Sequence, residues 1–113
     1  MKPRSAKNKG ARFQKEVAAY LSELTGIPFE KDGDIDVRTM GNSGTDIILR
    51  GKACEKIPFS IECKNVEKLN LWAAWEQANN NSTEEMPALL IVRRNRTKPF
   101  VCIDMESFFR RVL

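Results

Sequence analysis

One strand of this chain is marked by five consecutive apolar residues, Ala88–Val92, which follow Pro87 and precede the basic segment 93–99. Strands with one solvated face alternate apolar and polar residues, whereas uniformly apolar strands are typical of sheets that are covered on both faces. A strand of this kind needs packed layers on either side of it. The run therefore predicts a sheet that lies between helices.

The first of these helices is predicted by apolar residues that recur at steps of three and four: Phe13, Val17, Tyr20, Leu21 and Leu24. We expect it to run from about Ala11 to Thr25, because Gly26 is suited to end a helix. Residues 1–9 are polar and basic and show no periodicity. They are expected to form a mobile basic arm.

Two further helices and five strands complete the expected fold. Asn70 and Asp104 are suitable N-caps for helices over residues 71–80 and 105–113. Strands are predicted over residues 35–40, 46–50, 58–64, 88–92 and 100–103, with a loop over residues 51–56. The order α-β-β-β-α-β-β-α predicts an α/β fold in which a mixed central sheet is flanked by helices.

The composition limits both the size and the chemistry of the protein. A chain of 113 residues is expected to form one domain, over residues 1–113. It contains no histidine, which excludes Ser-His-Asp and Cys-His nucleophile systems and zinc sites built on histidine. Acid–base or metal chemistry would then depend on lysine and on carboxylates, and carboxylate oxygens suit hard cations such as Mg²⁺ or Mn²⁺.

The cysteines and the apolar segments indicate the compartment. Cys54, Cys63 and Cys102 are odd in number and form no CxxC motif, which argues against a disulfide framework and a zinc ribbon. No apolar run approaches the roughly 18 residues that indicate a membrane-spanning helix, and the basic N-terminal segment does not resemble a secretory leader. These features favour a protein of the reducing cytosol.

Basic residues are concentrated near the N-terminus and after the apolar strand Ala88–Val92, in a chain whose formal net charge is +4. Such clusters attract phosphate backbones. The candidates for phosphate contact are Lys2, Arg4, Lys7, Lys9, Arg12, Arg93, Arg94, Arg96 and Lys98. Ser43, in a glycine-flanked turn, is a further candidate. A solvated tail and a charged turn would explain the same pattern.

Two carboxylates and a lysine stand where strands could bring them together. Asp46 opens one predicted strand, and Glu62 and Lys64 share a face of the next, because side chains alternate along a strand. If these strands pair, Asp46 and Glu62 can hold a divalent ion, with the backbone carbonyl of Cys63 as a further ligand. Phosphodiester hydrolysis needs such an ion, a nucleophilic water and a positive group, here Lys64, that faces the developing charge.

Asp46, fifteen intervening residues and then Glu62-Cys63-Lys64 resemble the D…ExK signature of PD-(D/E)XK nucleases. The segment Lys9–Glu16 looks like the opening helix of archaeal-type Holliday junction resolvases and of small phage endonucleases related to them. Thr45 stands where the name of the superfamily has proline. The part of the chain from Arg93 onward is more similar to the phage nucleases than to the archaeal resolvases.

This resemblance implies a restriction-endonuclease-like fold and a set of site residues. The implied catalytic residues are Glu16, Asp46, Glu62, Lys64 and Gln77. The implied ligands of Mg²⁺, or of Mn²⁺ as a substitute, are Glu16, Asp46, Glu62 and the backbone carbonyl of Cys63. Gln77 occupies the place of a glutamine often found near the active site in this superfamily, although a glutamine on a helix surface has the same sequence signature.

The function that the resemblance implies is that of a metal-dependent DNA endonuclease. A homodimeric Holliday junction resolvase would make paired nicks in branched DNA, in the cytosol of a bacterium, an archaeon or a phage-infected cell. The alternatives are a phage nuclease that acts on linear or flapped DNA, and a nucleic-acid-binding module that has lost catalysis. Intact Asp46, Glu62 and Lys64 argue against the last, because a binding module does not need two acids beside a phosphate.

Overall fold

The computed structural model describes residues 3–39 and 43–113, with side chains from residue 8 onward. The elements in chain order are α1 (Pro3–Thr25), β1 (Ile35–Val37), β2 (Ile47–Leu49), α2 (Lys52–Lys56), β3 (Ser60–Asn65), α3 (Leu71–Asn80), β4 (Ala88–Arg93), β5 (Phe100–Cys102) and α4 (Met105–Val112). None of the helices in these residues has the length and apolar content needed to cross a membrane. The α/β class predicted from the sequence is confirmed.

The strands of the described residues form two sheets rather than the single sheet that was expected. β1 and β2 pair antiparallel, while the second sheet has the order β3-β4-β5, with β3 parallel and β5 antiparallel to β4. β2 comes close to β3 at Asp46, whose N–H donates to the Ile61 carbonyl at 3.1 Å. The next N–H along that edge of β3, at Cys63, donates to the side chain of Asp46 instead of to a strand, and no ladder continues there.

The central strand β4 is covered on both faces, as its sequence predicts. On one face, Leu89 and Ile91 pack in a core that includes Phe13 of α1. On the other face, Leu90 and Val92 pack against two buried alanines of α3. The sheet therefore separates an α1 side from an α3 side, and a residue of β3 or β4 faces one or the other according to its register.

Helix α1 begins at Pro3, eight residues before the predicted start at Ala11. Residues 3–9 are thus helical, although their sequence shows no helical period. Proline fits the first turn of a helix because its missing N–H would have no partner there, and the alanine and lysine that follow are good helix formers. A single Gly10 costs only about 1 kcal/mol, which the packing of Phe13 offsets.

The helix α2 occupies a segment that was expected to be a loop. It has five residues, too few to show a helical period in the sequence. Its Ala53 is fully buried in the α1-side core. The other predicted helix ends are confirmed: Asn70 Oδ1 accepts from the N–H of Ala73 at 3.1 Å, and Asp104 Oδ2 accepts from the N–H of Ser107 at 2.9 Å.

Candidate active site

Asp46 is held on two sides by backbone hydrogen bonds. Its N–H donates to the Ile61 carbonyl of β3 at 3.1 Å, and its own carbonyl accepts from the N–H of Arg38, which follows β1, at 2.9 Å. Its carboxylate oxygen Oδ2 accepts from the N–H of Cys63 at 2.8 Å. As predicted, Asp46 lies beside β3, the strand that carries Glu62. The contact is made by Asp46 alone and not by a ladder of paired strand residues.

The turn before Asp46 depends on a glycine. Gly44 has a φ of +109°, and a Cβ placed on it would lie 2.8 Å from the guanidinium carbon of Arg38. That guanidinium donates from Nε to the Thr45 carbonyl at 2.8 Å and closes the turn. Ser43, the predicted phosphate contact in this turn, is exposed just before Gly44.

Glu62 is buried, with 2% of its surface exposed, on the α3 side of β3. Its Oε1 accepts from the side-chain Nδ2 of Asn81, which follows α3, at 2.8 Å. Burial and the nearby charge of Asp46 raise the pKa of Glu62 to about 7, while the bond from Asn81 and the charge of Lys64 act in the opposite direction. The two predicted acids therefore lie side by side and repel each other when both are ionised.

Cys63 lies between Glu62 and Lys64 and faces the other way. Its side chain packs in the α1-side core, and burial raises the pKa of its thiol, which makes the thiol unreactive. Its N–H points to Asp46, and within a strand residue the C=O points to the same edge as the N–H. The carbonyl predicted as a metal ligand thus belongs to the edge at which Asp46 lies.

Lys64 follows Glu62 on the same face of β3, as the alternation predicts. It is half-buried, and its positive charge acts on the Glu62 carboxyl. It lies opposite Val92 of β4, one residue before the end of the strand pair. An ammonium group in this position can face a phosphate bound at the two acids.

Glu16 is placed elsewhere, contrary to the ligand set that was expected. Its Oε2 accepts from Arg93 Nη1 at 2.6 Å, and the Arg93 guanidinium lies 4.4 Å from the ring centroid of Phe13. These contacts lie on the α1 side of the sheet, whereas Glu62 lies on the α3 side. Within residues 3–39 and 43–113, no three His, Cys, Asp or Glu side chains are gathered so that they could hold a metal ion.

Gln77 is exposed on α3, and the amide that reaches Glu62 belongs to Asn81. Asn81 is a site residue that the sequence prediction missed. Residues four apart lie one above the other on a helix, so the spacing from Gln77 to Asn81 was the available signal. The amide beside Glu62 therefore comes from Asn81, four residues after the predicted Gln77.

The predicted phosphate contacts fall into three groups. The side chains of Lys2, Arg4 and Lys7 lie outside the described residues. Lys9 is 7% exposed, so most of its surface is unavailable for a phosphate contact, and Arg93 is engaged by Glu16. The remaining predicted contacts, Arg12, Arg94, Arg96 and Lys98, are exposed cations.

The turn that carries the second basic cluster is well defined. Thr97 Oγ1 accepts from the N–H of Arg94 at 3.0 Å and donates to the Arg94 carbonyl at 2.9 Å. The N–H of Asn95 donates to Glu67 Oε2 at 2.8 Å, which ties the turn to the segment after β3. Arg94, Arg96 and Lys98 are thus presented beyond the strand end at which Lys64 lies.

Asp46, Glu62 and the Cys63 carbonyl fit a hard divalent cation. They supply oxygen ligands only, as Mg²⁺ and Mn²⁺ prefer. A cation would also relieve the repulsion between the two acids, which acts together with the larger effect of burial to raise the pKa of Glu62. The donor set is compatible with Mg²⁺ chemistry without a contribution from Glu16.

A comparison with protein families gives one match over nearly the whole chain. The model of the family described as "Phage putative PDDEXK endonuclease" matches residues 5–112. No curated protein and no solved structure matches the chain. The matched range includes Asp46, Glu62 and Lys64, the residues that carry the D…ExK signature. The chain therefore belongs to this family of phage PD-(D/E)XK endonucleases.

Proposed function

We propose that this protein is a Mg²⁺-dependent endodeoxyribonuclease that cleaves branched DNA. The observation that carries the proposal is the position of Asp46, Glu62 and Lys64 at one edge of β3, in a chain of an endonuclease family. The family supports DNA as the substrate and a divalent metal as the cofactor. The identity of the ion and the branched substrate are our own additions.

Asp46, Glu62 and the carbonyl of Cys63 would hold the ion. When bound, a divalent ion polarises a phosphoryl oxygen and supplies a nucleophilic water at neutral pH. Lys64 contributes a fixed positive charge that stabilises the negative charge developing on the phosphate. Burial of Glu62 and its bond to Asn81 keep the acids in place before DNA binds, so that little reorganisation is needed during the reaction.

The exposed basic turn extends the site toward the DNA backbone. Arg94, Arg96 and Lys98 lie beyond the end of the β3–β4 pair, the same end of β3 to which Lys64 belongs. A duplex whose scissile phosphate lies at Lys64 would place neighbouring phosphates against this turn. Such contacts position the DNA without reading its sequence.

A dimer would present two such sites to the symmetric strands of a DNA junction. Exposed apolar side chains of α4 recur at steps of three and four and supply a surface for a second copy: Met105, Phe108, Phe109 and Val112. No residue of α4 is buried.

The dimer surface can be tested without disturbing the helix. A Met105→Glu, Val112→Lys double variant puts an acid in the first turn of α4 and a base in the last, where the helix dipole favours them. We expect sedimentation equilibrium to give a dimer for the wild type and a monomer for this variant. A monomeric wild type would contradict the dimer.

The second candidate is a phage endonuclease that acts on linear or flapped DNA, and the family description supports its nuclease activity. The chemistry at Asp46 and Glu62 would be the same. The difference lies in the preferred DNA structure, so substrates of different shape separate the two functions.

The decisive experiment compares cleavage of a labelled four-way junction, a flapped duplex and a linear duplex with and without Mg²⁺. We expect paired nicks in the junction, no cleavage with EDTA, and no cleavage by Asp46→Asn. Asp46→Asn should still bind the junction, because it removes a negative charge that faces phosphate. Equal cleavage of all three substrates would favour the second candidate. No Mg²⁺- or Mn²⁺-dependent cleavage of any of them would contradict the nuclease function.

A further inference from the structure

We propose that Asn81 is a positioning residue, whose side-chain amide holds the Glu62 carboxylate in the orientation that binds the metal ion. The proposal rests on the function proposed above. Asn81 follows the last residue of α3, and its Nδ2 donates to Glu62 Oε1 at 2.8 Å. It is not among the residues that the D…ExK signature identifies.

The backbone of Asn81 is anchored independently of its side chain. Its N–H donates to the Ala78 carbonyl at 3.2 Å, and its carbonyl accepts from Ser60 Oγ at 3.1 Å. Ser60 begins the strand that carries Glu62, so the amide is fixed relative to β3. The same Nδ2 lies 3.5 Å from the Gly44 carbonyl, in the turn that leads to Asp46. One side chain therefore contacts both segments that supply the acids.

The backbone conformation of Asn81 does not explain why an asparagine is present. Asparagine is favoured at helix ends when the residue adopts a left-handed conformation. Here φ is −92° and ψ is −1°, the right-handed conformation of the third residue of a type I turn, which is compatible with most residues. The requirement for an amide thus comes from the side-chain contacts.

The contact with Asn81 determines which oxygen of Glu62 is free for a cation. With Oε1 accepting from the amide, Oε2 is the oxygen left for the ion. Without the amide, a buried carboxylate beside Asp46 would turn away from it, because the two like charges repel. Residues that orient metal ligands in this way typically change metal affinity 10- to 100-fold when they are replaced.

The test compares Asn81→Ala with Asn80→Ala, an exposed asparagine one position earlier on α3. Mn²⁺ binding is measured by calorimetry without DNA, and the Mg²⁺ concentration for half-maximal cleavage is measured with DNA. We expect Asn81→Ala to raise the dissociation constant for Mn²⁺ and the Mg²⁺ concentration for half-maximal cleavage, each at least about tenfold. Excess metal should restore the cleavage rate. Asn80→Ala should behave as the wild type.

A double variant separates positioning from general stability. If Asn81 acts through Glu62, Asn81→Ala should not weaken Mn²⁺ binding further in a Glu62→Gln background. Unchanged Mn²⁺ affinity in Asn81→Ala, whatever its melting temperature, would overturn the proposal, as would a wild type that binds no Mn²⁺. Weakened Mn²⁺ binding by Asn81→Ala in a protein that cleaves no DNA would support the positioning role and contradict the nuclease function alone.

Discussion

The backbone N–H of Cys63 donates to the carboxylate of Asp46 at 2.8 Å. The acid from the segment before β2 is thereby attached to the strand that carries the other acid, Glu62. The separation of the two carboxylates is consequently set by β3 rather than by the turn around Gly44. From this arrangement we predict which side chains the metal ion requires.

The first prediction concerns the ligand set. Asp46→Asn should lower the cleavage rate more than about 100-fold, since loss of a direct ligand should exceed the effect of an outer-shell change. Glu16→Gln should cleave at a rate close to that of the wild type, because Glu16 pairs with Arg93 on the other side of the sheet. Its loss of stability should stay within about 1 kcal/mol, as for other exposed ion pairs.

Single-turnover cleavage of both variants, with chemical unfolding curves, checks this prediction. Glu23→Gln, an exposed glutamate on the same helix, is the control for removing a negative charge. A Glu16→Gln rate as low as that of Asp46→Asn would return Glu16 to the metal site.

The second prediction is a pH dependence of stability in the metal-free protein. The pKa of Glu62 is raised from 4.5 to about 7, so the folded state binds this proton more tightly than the unfolded state. Its stabilising effect is complete below pH 4.5 and disappears as the pH rises to about 7. The decrease should be on the order of 3 kcal/mol relative to Glu62→Gln, which cannot ionise.

Urea unfolding of the two proteins in EDTA at pH 5 and pH 8 measures this difference. Other carboxylates titrate in both proteins, so their contributions cancel in the comparison. Mg²⁺ at pH 8 should recover part of the stability in the wild type only. Identical pH profiles for the wild type and Glu62→Gln would show that the Glu62 carboxyl has an ordinary pKa.

The third prediction separates rate from metal binding at Lys64. Lys64→Met keeps most of the side-chain length but removes the charge that faces the phosphate. We expect the cleavage rate at saturating Mg²⁺ to fall by about 100-fold or more, the range seen when one group that stabilises transition-state charge is removed. Mn²⁺ affinity should not weaken, because the ammonium does not bind the ion.

Lys68→Met, at an exposed position after β3, is the matched control and should cleave normally. Much weaker Mn²⁺ binding by Lys64→Met would mean that Lys64 maintains the fold of the site rather than contributing charge to the reaction.

The fourth prediction concerns the basic turn. For duplex DNA, removing one cation that neutralises a phosphate should reduce the slope of log affinity against log salt by about 0.9. We expect Arg94→Gln with Arg96→Asn to reduce it by up to about twice that amount. Asparagine suits position 96 because Arg96 has a φ of +63°.

Titrations at four salt concentrations, with Lys31→Gln and Lys52→Gln as the charge-matched control, check the slopes. Both control residues are exposed and lie away from the turn in sequence. Coinciding slopes for the wild type and the turn variant would show that the turn does not contact DNA.

The features of the fold that the sequence predicts are those that depend on local chemistry. The caps Asn70 and Asp104 and the doubly covered strand β4 could be read directly, because each follows from residue type and short-range spacing. The extra turns of α1 before Ala11 could not, since polar helical residues carry no apolar period. Nor could the split of the sheet at Asp46, because there the carboxylate of Asp46, rather than a neighbouring strand, accepts the hydrogen bond from the N–H of Cys63.

The residues of the candidate site also fall into those that the sequence predicts and those that it does not. Strand alternation and a family signature both indicate Asp46, Glu62 and Lys64, so their proximity on β3 could be predicted. The engagement of Glu16 by Arg93 and the contact of Asn81 with Glu62 depend on which face of the sheet each helix covers, and residue spacing alone does not determine this.

The hydrogen bonds that assemble the acids join residues far apart in the chain. Asp46 and Cys63 are 17 positions apart, and Glu62 and Asn81 are 19 apart. Closing such loops costs chain entropy before any contact stabilises them, so these contacts form together with the tertiary fold. During synthesis, Asn81 leaves the ribosome after the whole of β3. A nascent or partly unfolded chain therefore lacks the paired acids, and the site proposed for DNA cleavage exists only in the folded protein.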